Sequence, residues 1–495
     1  MSDTVSFNEI PSGLNVPGSV TEIQNVRAAN TLAGMPVRVL VLGQMGGGTG
    51  APLTRYPILS AAQAANLFGA GSALALAVAA HLAAKPFMQL DAIAVAAPAE
   101  ATAASTTVTF AGTATNGATA AIEVAGVRVP LTIIPTMAVA DMAAALAAVF
   151  TPSLTAQTGC TATAAAGVVT ITSQEKGAFA NDIDVRVSTL ATDQVPGVTL
   201  TVGAGGMTGG TLSPDLTPAL NLVSNVWYTD IATCLNDAPN LAALATEGTR
   251  RYNALVKRDA HFYFGFRGTY GAAIALSADL NSEYLSGLAA SAPRWSPWVA
   301  AAVLCAIAAD STNTDPARVL RTLALTGLEG LAPADTDLYE DAQRNVLLAK
   351  GWSTFTVDYD KTVVIERVVT TQQVDPVSGI ALTYPQDIRV PKVGTRVRYE
   401  WNSYANTTWP RAKLAPDNSP LSTKPGVVTP KTLLNSWVGQ CKLYELQGWI
   451  QNVDTLGPQA TFDINGTDPN RVDSQLPIQV IGALNVLANV LQLES

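Results

Sequence analysis

Residues 37–43 and 90–97 are two almost wholly apolar runs of strand length, and they limit this chain's fold more than any other feature. A strand that is apolar along its length must be covered on both faces, which happens in parallel sheets flanked by helices. Between them, residues 60–68 and 72–84 read as helices, so the stretch is a βαβ unit. The rhythm resumes downstream with a helix at 214–224, a strand at 226–234, a helix at 239–256, a strand at 260–266 and a helix at 296–310. The fold class predicted is α/β: a multidomain chain with a mostly parallel α/β core.

A chain of 495 residues is too long for one hydrophobic core. Between residues 98 and 210 the texture shifts to Ala, Thr, Val and Gly, with strands expected at 106–110, 121–129 and 168–173, one helix at 139–150 and a Gly-rich run at 203–210. Because the βαβ rhythm continues on the far side, 99–210 is read as an inserted β-rich domain, and the core as 31–98 plus 211–351. Residues 352–483 read as an α+β C-terminal domain, opening with a hairpin of strands 354–359 and 362–371 and containing a helix at 429–446. Residues 1–30 and 484–495 are apolar but too short to fold alone, which makes them extended terminal arms. The C-terminal arm fits a helix, with Leu484, Leu487, Ala488 and Leu491 on one face. It fits equally a strand with Leu484, Val486, Ala488 and Val490 on one side.

The chain is 48% hydrophobic and only 14% charged, against about 25% charged in ordinary globular proteins. Its surface must therefore be small, apolar or buried against partners, which favours an obligate assembly. A net charge of −9 argues against direct nucleic-acid binding, which depends on Lys and Arg neutralising phosphates. Cys160, Cys234, Cys305 and Cys441 stand singly and suggest buried thiols rather than a metal site or disulfide framework. Residues 1–10 show no secretory signal, so the protein is expected to stay in the cytoplasm where it is made. The apolar runs 73–84 and 299–309 fall short of the roughly 18 residues of a membrane span, so no membrane insertion is expected.

The run Gly-Gln-Met-Gly-Gly-Gly-Thr-Gly at residues 43–50 follows a strand, where phosphate-binding loops sit, and is similar to the glycine loop of tubulin-like GTPases. It lacks the Lys-Ser or Lys-Thr ending of a P-loop, so nucleotide binding is the alternative reading and a glycine turn the favoured one. His81 and His261 have no triad or ligand partners at motif spacing, and no catalytic, cofactor or metal residue is assigned. Asp335, Asp337, Glu340 and Asp341 read as a solvated helix start, and Trp295 and Trp298 as core or interface anchors.

Several motifs, weak singly and specific in this order, carry a resemblance over most of the chain. They are Ser-Phe-Asn-Glu-Ile-Pro at 6–11, Val-Leu-Val-Leu-Gly-Gln at 39–44, Ala-Ala-Asn-Leu-Phe-Gly-Ala-Gly-Ser at 64–72, Val-Ile-Glu-Arg-Val-Val-Thr-Thr at 364–371 and Asp-Pro-Asn-Arg-Val-Asp at 468–473. The chain resembles the tail sheath proteins of Mu-like contractile-tailed phages. The resemblance implies a virion component, assembled in the host cytoplasm, that forms hexameric rings stacked in a helical array. Those rings would surround a tail tube protein and meet baseplate and tail terminator proteins. It also implies that the arms link neighbouring copies through Val5, Phe7, Ile10, Val16, Val20 and Ile23 at one end and Val486, Val490, Leu491 and Leu493 at the other, with 486–493 as an exchanged strand. The receiving sheet is expected to be the 354–359 and 362–371 hairpin. The inserted domain is expected to face outward and to be dispensable for the inner lattice. Basic residues crowd the C-terminal third at Lys350, Lys361, Arg367, Arg389, Lys392, Arg396, Arg398, Arg411, Lys413, Lys424, Lys431 and Lys442. The tube-facing surface is therefore expected there, on Arg411, Lys413, Lys424 and Lys431.

Overall fold

The computed structural model describes residue 32 and residues 34–493. Val5, Phe7, Ile10, Val16, Val20 and Ile23 of the expected N-terminal arm lie outside the described residues. Those described form two compact units, 35–398 with 480–493, and 399–479.

In the larger unit, β1 (Val39–Gln44) is buried at all six positions, whereas β2 (Arg55–Ile58) is largely exposed. Helices α1 (Ala61–Phe68) and α2 (Ala73–Ala84) follow. Each opens on a serine whose hydroxyl accepts a first-turn amide, Ser60 from Gln63 and Ser72 from Ala75. β3 (Leu90–Val95) is again buried throughout.

The insertion contains β4 (Ala103–Gly112), β5 (Ala118–Val124), β6 (Val127–Ile133), α3 (Val139–Val149), α4 (Pro152–Thr158), β7 (Cys160–Ala165), β8 (Val168–Lys176), β9 (Val185–Val187) and β10 (Val198–Val202). Its strands make two antiparallel sheets, ordered β10-β4-β8-β7 and β6-β5-β9. The single strand expected at 121–129 is instead a hairpin. Val124 pairs with Val127, and Ala125 (φ 50°) and Gly126 (φ 80°) make the turn. Two central residues with positive φ give the turn whose twist suits a hairpin, and Ala in place of the usual Asn or Asp concealed it.

The insertion is bonded into the core. Phe179 meets Trp298 edge-on, 5.6 Å between ring centroids. Arg267 donates to Asp184 at 2.5 Å, and Asn236 to Asp182 at 3.0 Å. Arg294 lies 3.4 Å from Glu123. Cutting the insertion out would leave these partly buried groups without partners, a cost the expectation of a dispensable domain omits.

Downstream come α5 (Thr217–Leu222), β11 (Asp230–Thr233), α6 (Ala238–Tyr252), β12 (His261–Arg267), α7 (Tyr270–Ser277), β13 (Leu285–Ala290), α8 (Pro297–Thr314), α9 (Asp341–Ala349), β14 (Trp352–Val357) and β15 (Val363–Arg367). The main sheet has eight strands in the order β15-β14-β13-β12-β11-β1-β3-β2. From β14 to β3 neighbours are parallel, and antiparallel strands close each side. Helix α8 is buried at 13 of its 18 residues and packs against α2, since alanines on both let the backbones approach. No single helix among the described residues is long and apolar enough to cross a membrane.

The boundary expected at residue 352 is not where the chain divides. β14 pairs in parallel with β13, Trp352 opposite Gly287, so 352–367 complete the core sheet. The change of texture there marks the switch to an antiparallel edge strand. Helix α10 (Arg389–Thr408) contains the actual division, after Arg398.

In the smaller unit, β16 (Lys413–Leu414) and β17 (Val427–Val428) pair in parallel, and α11 (Pro430–Leu446) starts at the capping hydroxyl of Thr429. Its core is aromatic. Trp401 lies edge-on to Trp437 at 5.1 Å and 6.3 Å from Phe462, and Tyr444 stacks on Trp449 at 5.9 Å. Phe462 belongs to an antiparallel hairpin of Thr461–Ile464 with Val472–Gln475.

Candidate assembly interface

The C-terminal segment from 481 to 493 forms neither strand nor helix in the single chain. Val486 is 80% exposed, Leu487 71%, Val490 89%, Leu491 83% and Leu493 87%. Both sides of the alternation are uncovered together, so the subunit itself offers residues 486–493 no surface. A strand is defined by its pairing, and an isolated chain supplies no partner for this one.

The receiver expected for it is closed. β14 is an interior strand, and the outer edge of β15 is already paired. Thr322 N donates to Ile365 O (2.8 Å), Ile365 N to Leu323 O (2.9 Å) and Leu325 N to Val363 O (2.8 Å). At the opposite side of the sheet β2 carries Pro57, which has no amide to donate. The 461–475 hairpin is different, because it is a two-stranded sheet. It alternates exposed Thr461 and Asp463 with half-buried Phe462 and Ile464, and α11 packs against it. Its loop is pinned by Asn465, whose Oδ1 accepts from Thr467 N (2.9 Å) and Asp468 N (3.0 Å).

At least half of the basic residues counted in the C-terminal third have acidic partners within the chain. Arg367 and Arg389 both face Asp387, at 2.7 and 3.6 Å. Lys361 faces Asp335 at 3.4 Å, Lys392 Asp230 at 2.5 Å, Arg398 Asp259 at 2.8 Å and Lys442 Asp454 at 2.5 Å. Arg411, Lys413, Lys424 and Lys431 are exposed. They belong to one excursion of chain, 409–431, closed at its base where Lys413 pairs with Val427.

Three amides of the glycine run at 43–50 are taken up by α1. Gly46 N donates to Phe68 O (3.1 Å), Thr49 N to Asn66 O (3.0 Å) and Gly50 N to Leu67 O (2.9 Å). These are the free carbonyls at the C-terminal end of α1, the negative pole of a helix, which repels phosphate. At Gly48 (φ +96°) a Cβ would stand 2.5 Å from Leu67 O, so close packing demands glycine there. Nothing here supports nucleotide binding. Of the other residues singled out, His81 is buried, its pKa pushed down to about 4 by burial. The ring of His261 bonds Ser286 Oγ at 2.8 Å. Glu340 forms a capping box with Gln343 at the start of α9, Trp295 is buried against Phe355, and all four thiols are free and buried.

Beside the glycine run, Glu175 of the insertion accepts from Ala73 N at the tip of α2 (2.5 Å) and from Gln44 Nε2 (3.3 Å). Burial raises its pKa to about 8, against the lowering effect of those two bonds. As pH rises above about 4.5 the unfolded chain loses a proton that the native carboxyl keeps. Stability should therefore fall from about pH 4.5 to about pH 8, by up to ~1.4 kcal/mol per pH unit from this group. Glu175→Gln should flatten that fall in urea-unfolding midpoints, and an unchanged slope in the variant would assign the dependence elsewhere.

Residues 209–371 match the family model described as the phage tail sheath protein central domain. Over its full length the chain is similar to the Mu-like prophage tail sheath protein of Haemophilus influenzae, 26% identical over 496 residues and 99% of each chain. Among solved structures it is similar to the sheath tail protein of Desulfitobacterium hafniense, with 12% identity, 94% of this chain and 97% of that one covered, and a TM-score of 0.48. It is also similar to the contracted helical sheath of the anti-feeding prophage, with 10% identity, 97% and 99% covered, and a TM-score of 0.49.

Proposed function

We propose that the chain is a member of the phage tail sheath family and the structural subunit of a contractile tail sheath, stacking as hexameric rings in a helical array around a tail tube. Contraction of that array drives the tube through the host envelope during genome delivery. The observation that carries this reading is the full-length similarity to a prophage tail sheath protein, 99% of both chains. Heterologous contacts that do not close generate such arrays. The partners are copies of itself, the tube protein, the baseplate and the tail terminator, and the site of assembly is the host cytoplasm. Negative-stain microscopy of the purified protein tests the reading: tubes of stacked rings are expected, and monodisperse subunits under every assembly condition would reject it.

Copies are linked by the arms. The C-terminal arm of one copy adds as a strand to the 461–475 hairpin of another, where backbone bonding gives linkage and the alternating side chains give register. Linkage of this kind survives large rigid-body rotations, as contraction requires. The insertion lies on the outside of the array.

The tube faces Arg411, Lys413, Lys424 and Lys431. One exposed ion pair contributes only about 0–1 kcal/mol, but repetition along many rings sums. Binding of sheath to an acidic tube should weaken as salt rises. Reversing these four charges should abolish the salt dependence in co-sedimentation, and unaltered binding by the reversed protein would reject this surface.

A further inference from the structure

The C-terminal arm is held at its root before it runs free. Asp387 is buried, and its carboxylate is shared between the body and the arm. Oδ1 accepts from Arg367 Nε at 2.7 Å, and Oδ2 from Asn485 Nδ2 at 3.2 Å. Arg389 Nε lies 3.6 Å from Oδ2, and Arg389 Nη1 donates to the carbonyl of Ile481. Arg321 Nη1 adds a bond to the carbonyl of Asn485 at 3.4 Å. Arg367 is the last residue of β15 and also donates to Pro385 O at 3.1 Å, so this cluster is mounted on the side of the main sheet. Hydrogen bonds to charged groups are the stronger kind. Among the described residues, none beyond Asn485 is tied to the body by a hydrogen bond.

We propose that Asp387 is the positioning residue of the C-terminal arm, a clamp that fixes residues 481–485 to the subunit and aims the remainder at a second copy. The proposal rests on the arm-exchange reading above and adds what sets the arm's reach. An extended chain covers at most about 3.3–3.6 Å per residue, so the eight steps from Asn485 to Leu493 reach about 26–29 Å. Releasing the clamp moves the pivot back to residue 480 and adds five steps, about 16–18 Å. The arm then samples a wider volume, and its root must be ordered anew each time a neighbour captures it.

Limited proteolysis of the full-length unassembled subunit with a protease of broad specificity tests this, combined with tube formation followed by microscopy. In Asp387→Ala cleavage within 481–485 should be roughly tenfold faster, the loss of about one charge-assisted bond, while β11 to β14 stay uncut, and tubes should form more slowly. Asn485→Ala alters only the arm side, cannot unfold the body, and should act in the same direction. Wild-type cleavage at 481–485 in both variants, or tube formation at the wild-type rate despite faster cleavage, overturns the clamp. A subunit lacking 486–495 separates the two readings. If it still assembles, arm exchange fails and the clamp has no assembly to serve. If it does not assemble while both clamp variants do so normally, only the clamp falls.

Discussion

Removing residues 486–495 should give a soluble, folded subunit that forms no tubes at any concentration at which the intact chain polymerises. Nothing in the body depends on these residues, because Val486, Leu487, Val490, Leu491 and Leu493 are all at least 71% exposed in the single chain. Thermal unfolding should therefore be unchanged. What is lost is the burial of five large apolar side chains in a neighbour. At about 1.5–3 kcal/mol for each fully buried side chain, that is at most ~7–15 kcal/mol per arm. Association itself costs about 4–15 kcal/mol, so the arm's contribution is of the size that decides whether a lattice forms. Normal polymerisation of the truncated chain in sedimentation and microscopy would refute arm exchange.

The second large effect concerns stability. Lys392→Ala should lower the unfolding free energy by about 3–5 kcal/mol, the usual result of breaking a buried ion pair. Lys392 Nζ lies 2.5 Å from Asp230 Oδ1, with side chains only 9% and 2% exposed. The same Oδ1 accepts from Tyr263 OH at 2.7 Å. Without the ammonium, the carboxylate in the middle of the main sheet keeps that one hydroxyl. The double variant Asp230→Asn with Lys392→Met should recover most of the loss, because an amide still accepts from Tyr263 and leaves no buried charge. Urea unfolding of the three proteins decides it, and a loss below 1 kcal/mol in Lys392→Ala would show that Asp230 finds another partner.

Where a residue's environment is made by its own neighbours along the chain, the sequence was sufficient. The apolar runs that became β1, β3 and β12 and the alanine-rich α8 are of this kind. β13 was missed because its conformation answers to its neighbours in the sheet. A Cβ on Gly287 would come within 2.3 Å of the Phe264 ring and 2.7 Å of Trp352. The strand must be small where two aromatic side chains lie over it, which removes the β-branched signal expected of a strand. The internal partners of the basic residues near the C-terminus were hidden for the same reason. Charge is legible in a sequence, but Asp230 lies 162 positions from Lys392 and Asp259 lies 139 from Arg398, so their pairing is not. The closure of β15 by 322–325 and the clamp at Asp387 are likewise products of distant segments meeting.

The main sheet also has a history set by the direction of synthesis. β1 lies between β3 and β11, and Val39 pairs with Asp230, so one side of β1 is completed only after the whole insertion has been made. The roughly 130 residues between β3 and β11 take about 7–26 s to synthesise at about 5–20 residues per second. Throughout that interval a fully apolar strand presents unpaired backbone, the condition under which nascent chains stick to one another. The insertion emerges within this window, and Glu175 reaches both Gln44 on β1 and the tip of α2. It can thus settle on the unfinished sheet before β11 leaves the ribosome, shielding a half-made core during translation.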